Sequence, residues 1–62
     1  MTLQKFIEKY GEEYCAYIFK AKVRTVASWR RGERFPRRLK AMEIVIATKG
    51  VVQMSGIYNP EG

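Results

Sequence analysis

The chain has 62 residues, of which 47% are hydrophobic, and a formal net charge of +6. That is one small domain, and a domain of this size buries only ~60% of the surface its unfolded chain exposes, so it has material for a single thin core. One cysteine and no histidine exclude an internal disulfide and a structural zinc site.

No apolar run approaches the ~18 residues of a membrane span. Residues 1–20 also lack the pattern of a signal peptide. The expectation is a reduced, cytoplasmic protein with no membrane partner, and nothing in the composition calls for a cofactor or a small-molecule substrate.

Leu3, Phe6, Ile7 and Tyr10 fall at i, i+3, i+4 and i+7, one apolar stripe of a helix. Thr2 suits its N-cap and Gly11 its C-terminal stop. A second helix is predicted over Glu12–Lys20, with Glu12 and Glu13 at the positive end of its dipole. Cys15, Ile18 and Phe19 share one face there, and Ala16 is small enough to let another helix approach closely.

A third helix is predicted over Val23–Arg31. Val26 and Trp29 face inward, Arg30 and Arg31 favour its last turn, and Gly32 ends it. A fourth begins near Pro36, a residue suited to a first helical position, and runs to Lys49 before Gly50. Its predicted inner face is Leu39, Met42, Val45 and Ile46, with the stem of Lys49. Residues 51–58 read either as a short strand or as a last helical turn, and residues 59–62 as a frayed end. The fold class is all-α, with four to five short helices in one domain over residues 1–58.

The charge is concentrated. Nine of the twelve cations lie between Lys20 and Lys40, opposed only by Glu33, which leaves +8 in that segment and −2 elsewhere. One basic segment is the footprint of a polyanion binder. Arg37, Arg38 and Lys40 also oppose the dipole at the start of their helix, which mildly favours a ligand role for them.

Catalytic signals are missing. Cys15 has no histidine or acid partner and reads as a buried small hydrophobe. Glu12 and Glu13 are adjacent and cannot face each other on a helix. The chain is not read as an enzyme.

The segment from Ala16 to Trp29 places a small residue, a large apolar one three later, a turn, and apolar residues ten and thirteen after the first: Ala16, Phe19, Val26 and Trp29. This register resembles the helix-turn-helix of the Cro-type repressors of temperate phages. The wider frame is similar too, with Thr2-Leu3, Tyr10-Gly11 and Gly32-Glu33-Arg34-Phe35. The likeness spans roughly residues 2–36. Lys20 stands where family members usually have glycine, and Lys22 where they usually have a serine or threonine N-cap. The helical reading of Arg37–Lys49 is similar to all-helical relatives rather than to those ending in strands.

The resemblance implies a lambda-repressor or Cro-like fold and a sequence-specific regulator of double-stranded DNA, with the third helix in the major groove. Lys22, Val23, Arg24, Ala27, Ser28 and Arg31 match the positions that usually face DNA, and Arg24 is the best candidate for a bidentate guanine contact. Lys20, Arg30, Arg34, Arg37 and Arg38 are expected on phosphates. The partner set is duplex DNA and a weak homodimer strengthened on DNA, its surface on the fourth helix or on Val51, Val52, Met54, Ile57 and Tyr58. Tyr14 and Tyr17 are read as packing or interface residues. The alternatives are an excisionase-like or antitoxin-like accessory protein, or a module whose basic face takes RNA or an acidic protein.

Overall fold

In a computed structural model, which describes residues 1–58, the chain forms α1 (Leu3–Tyr10), α2 (Glu12–Phe19), α3 (Val23–Arg31), α4 (Arg38–Ala47) and α5 (Met54–Tyr58). The fold is all-α, and the described residues contain no strand: the short strand considered over residues 51–54 is absent, and the last helical turn over Met54–Tyr58 is present. The expected frayed end at 59–62 lies outside the described residues. No helix among the described residues is long and apolar enough to cross a membrane.

The first three helices form where the apolar stripes put them. Thr2 Oγ1 accepts the Lys5 amide at 3.2 Å, which satisfies one of the orphan donors at the start of α1. Leu3, Phe6 and Ile7 of α1 are buried against Cys15, Ala16 and Phe19 of α2 and Val26 and Trp29 of α3. The rings of Phe6, Phe19 and Trp29 run through this core at centroid spacings of 6.0 and 6.4 Å. Each such side chain contributes ~1.5–3 kcal/mol by leaving water. Cys15 is fully buried, as expected, and that burial pushes its thiol up to about 11.

Three helices end on the same pair of hydrogen bonds. After α2, Ala21 N–H reaches Ala16 O at 3.0 Å and Lys20 N–H reaches Tyr17 O at 3.3 Å. After α3 the donors are Glu33 and Gly32, and after α4 they are Gly50 and Lys49. This ending requires one residue in the left-handed conformation. Gly32 takes it at φ +77, while Lys20 and Lys49 both take it at φ +54. The turn between α2 and α3 therefore keeps the geometry that glycine favours, with a lysine in that place.

The fourth helix corrects three expectations. It starts at Arg38, not Pro36, because Arg37 is extended (φ −69, ψ 163) and the Pro36 carbonyl is taken by Tyr58 Oη at 2.8 Å. It ends at Ala47, because Lys49 has turned left-handed. Its inner face is also not the one predicted. Ala41, Ile44 and the following Thr48 are buried, whereas Leu39 is 76% and Ile46 74% exposed. Met42 and Lys49 are exposed as well, and of the predicted stripe only Val45 packs against the core.

The reason is steric. Alanine at position 41 lets α4 lie close on α2, where Lys40 Nζ donates to the Phe19 carbonyl at 3.0 Å. Thr48 is buried without penalty, since Oγ1 donates to Ile44 O at 2.9 Å and accepts from Val52 N at 3.1 Å. Val52 and Ile57 are fully buried in the core, so neither belongs to a dimer surface.

Candidate functional site

On α3 the apolar and polar faces separate as the helical period requires. Val26 and Trp29 are 0% and 5% exposed and hold the helix against α1 and α2. That leaves Arg24, Ala27, Ser28 and Arg31 on the outward side. With Thr25, Glu33 and Arg34 they line one open groove of about 550 Å³. Three guanidinium-bearing side chains and two hydroxyl-bearing ones thus share a concave surface along a single short helix and the turn that follows it.

Inside the groove the charges are arranged. Arg31 Nε and Nη2 donate to Glu33 Oε2 and Oε1 at 3.1 and 3.2 Å, a bidentate pair on the surface. Arg31's hydrogen bonds, and then its charge, hold the Glu33 carboxyl below its ordinary range, and the same pairing raises Arg31. Arg24 makes no ion pair among the described residues, so its guanidinium is free for a ligand. Ser28, which lines the groove, donates from Oγ to the Arg24 carbonyl at 3.1 Å. Ala27 is 8% exposed and forms part of the floor.

The remaining candidates fall elsewhere. Lys22 and Val23 are exposed at the start of α3 and lie outside the groove lining. Arg37 and Arg38 are exposed at the uncapped start of α4. Lys20 sits beside Ile18, Glu43 and Ile46, on the α4 side of the α2–α3 turn. Arg30 points to another face, where it pairs with Glu12 across the α2–α3 crossing. Of the basic segment, Arg30, Arg31 and Lys40 are thus engaged with carboxylates, and Lys20, Lys22, Arg24, Arg34, Arg37 and Arg38 make no ion pair among the described residues.

A larger concavity, about 700 Å³, lies in a different place. It is lined by Glu8, Glu12 and Glu13 with Tyr10, Tyr14 and Arg30, and its carboxylates give it the wrong sign for a polyanion. The tyrosines there lie tilted against each other with ring centroids 5.8 Å apart, while Tyr17 is 82% exposed.

Thr25 and Glu33 are groove residues that the reading of the sequence did not select. Thr25 sits at the edge between the two faces of α3, where the period does not decide. Glu33 comes two residues after Arg31, a separation that on a helix points the side chains apart. Only the left-handed Gly32 between them (φ +77) turns the chain so that they meet. A glycine stop followed directly by an acid, after a terminal arginine, is the signal that would have found it.

No family model, curated protein or solved structure matches the chain.

Proposed function

We propose that the α2–turn–α3 unit is a helix-turn-helix and that the protein is a Cro-like regulator, reading double-stranded DNA in the major groove through the outward face of α3. The observation that carries this reading is the groove itself: Arg24, Arg31 and Arg34 with the hydroxyls of Thr25 and Ser28, on a helix whose other face is anchored by Val26 and Trp29. A helix can enter a major groove only if its outer face is polar, long-armed and rigidly backed. Arg24 is the base reader with an uncommitted guanidinium. Arg31 is held by Glu33 along its Nε–Nη2 edge, which leaves the Nη1–Nη2 end to present two donors. That fork fits the O6 and N7 acceptors of guanine. Arg34, Arg37 and Arg38 supply phosphate contacts at the groove's end and at the start of α4. Lys20 supplies one at the turn, and Arg30, held by Glu12, is the weakest of the five candidates.

The test is a duplex titration at several salt concentrations. With ~5–7 phosphates neutralised per subunit, log K against log[salt] should slope by about −5 or steeper. Arg24→Ala should leave stability within about ±0.5 kcal/mol and weaken binding to a selected site by ~1–3 kcal/mol, relaxing preference at one base pair. A slope near zero, or stronger retention of structured RNA than of duplex DNA in competition, refutes the reading.

A further inference from the structure

We infer that Glu33 is a specificity-determining residue of the groove, a positioning carboxylate that clamps Arg31 for the edge of a guanine and withholds its charge from phosphates. This role rests on the reading of α3 as the helix that enters the major groove. Glu33 is the only carboxylate between Lys20 and Lys40, and it lines the groove with Arg24, Arg31 and Arg34. A negative charge there opposes every phosphate of an approaching duplex, so it lowers affinity. Folding does not account for its presence. The Arg31 and Glu33 side chains are 48% and 58% exposed, and a surface ion pair of that kind contributes little to stability. The left-handed ending of α3 uses only the backbone of Glu33, whose N–H reaches Ser28 O at 3.0 Å, a bond that any residue with an amide supplies.

What the Glu33 side chain does is fix Arg31. Oε2 and Oε1 accept from Nε and Nη2 at 3.1 and 3.2 Å, and a carboxylate that takes both bonds of this edge holds the orientation of the guanidinium plane. Arg24 and Arg34 make no ion pair among the described residues, so of the three groove arginines only Arg31 is held before a ligand arrives. The clamped pair is electrically neutral. Its pull on a phosphate is weak, because that attraction follows net charge. Guanine O6 and N7 need only two directed donors, which the Nη1–Nη2 end offers while the clamp stays closed. To meet a phosphate at full charge, Arg31 must break both bonds and leave a bare carboxylate facing the DNA backbone. Glu33 thus lowers affinity for any duplex and raises discrimination at one base pair.

The test is a double-mutant cycle of Glu33→Gln and Arg31→Ala in the full chain, on a duplex selected by the wild type and on its single-base-pair variants. Arg31→Ala identifies the base pair that Arg31 reads, where preference is lost. Glu33→Gln, with an unchanged circular dichroism spectrum, should lower discrimination at that same base pair at least ~5-fold. Discrimination at the base pair that Arg24→Ala relaxes should stay within about twofold. Affinity for an unrelated duplex of equal length should rise, with a salt slope steeper by about one unit, because Arg31 is released to a phosphate. A residue that served only the fold would not weaken one base preference while strengthening non-specific binding. In the Arg31→Ala background, Glu33→Gln should change no base preference. Wild-type discrimination in Glu33→Gln overturns the inference, and so does a loss at both base pairs together. A change of preference that persists without Arg31 also overturns it, since Glu33 would then read a base itself, as an acceptor for cytosine N4. A wild type that selects no duplex at all refutes the reading of α3, and this role with it, before any variant is compared.

Discussion

Lys20→Gly should make the protein more stable. Lys20 holds the left-handed conformation (φ 54, ψ 46) that ends α2, and an L-residue with a Cβ is strained there by ~1–2 kcal/mol. Its side chain is exposed and makes no ion pair among the described residues, so truncation removes little else. Glycine gives back part of the gain through a freer unfolded chain, about 0.4–1 kcal/mol. The net expectation is a stabilisation of ~0.5–1 kcal/mol, or ~2–8 °C in Tm for a domain of this size. Urea and thermal unfolding followed by circular dichroism measure it.

The reverse change supplies the control. Gly32 ends α3 in the same way, and a Cβ there would meet only Gln4 Nε2 at an ordinary 3.8 Å. Gly32→Ala should therefore lose a comparable amount through strain alone. If Lys20→Gly is neutral or destabilising while its spectrum stays native, the left-handed ending of α2 is not the source of strain argued here. The same variant tests the proposed function: the phosphate contact proposed for Lys20 predicts that its removal takes about one unit from the salt slope of duplex binding.

Gly56 of α5 lies against the backbone of Met1 and Thr2, and a Cβ there would come within 2.7 Å of Met1 O. Gly56→Ala should lose about 1–2 kcal/mol net, since overpacking against backbone outweighs the better helix propensity of alanine, and denaturant midpoints will show it. Cys15 sets a pH limit: its folded pKa is raised from 9.0 to about 11. The associated stability is complete below the unfolded value and is lost as pH rises through it toward the folded one. Comparing wild type with Cys15→Ala cancels the other titrating groups, and the wild type should lose about 2 kcal/mol more between about pH 8 and 10.5. An equal loss in both proteins would show that the thiol ionises without penalty.

The sequence by itself determined α1, α2 and α3 almost to the residue. α1 and α3 each carry one clear apolar stripe, Thr2 caps α1, Gly11 and Gly32 act as stops, and the Ala16–Phe19–Val26–Trp29 register sets two helices against each other across a turn that Lys20 makes in place of a glycine. The basic segment was legible for the same reason, since charge needs no tertiary partner to be counted. What tertiary structure alone decided is where the local pattern is ambiguous. In α4 the apolar residues Leu39, Ala41, Met42, Ile44, Val45, Ile46 and Ala47 surround the helix, so periodicity selects no face. The side that packs on the core carries Ala41 and Ile44, where the small Ala41 lets α4 lie close on α2, and Leu39, Met42 and Ile46 face outward. The Arg31–Glu33 pair arose likewise from a chain reversal at Gly32, and the burial of Val52 and Ile57 from the space left beside α1 and α4. A small core has room for one face of each helix, and volume chose the face where the pattern did not.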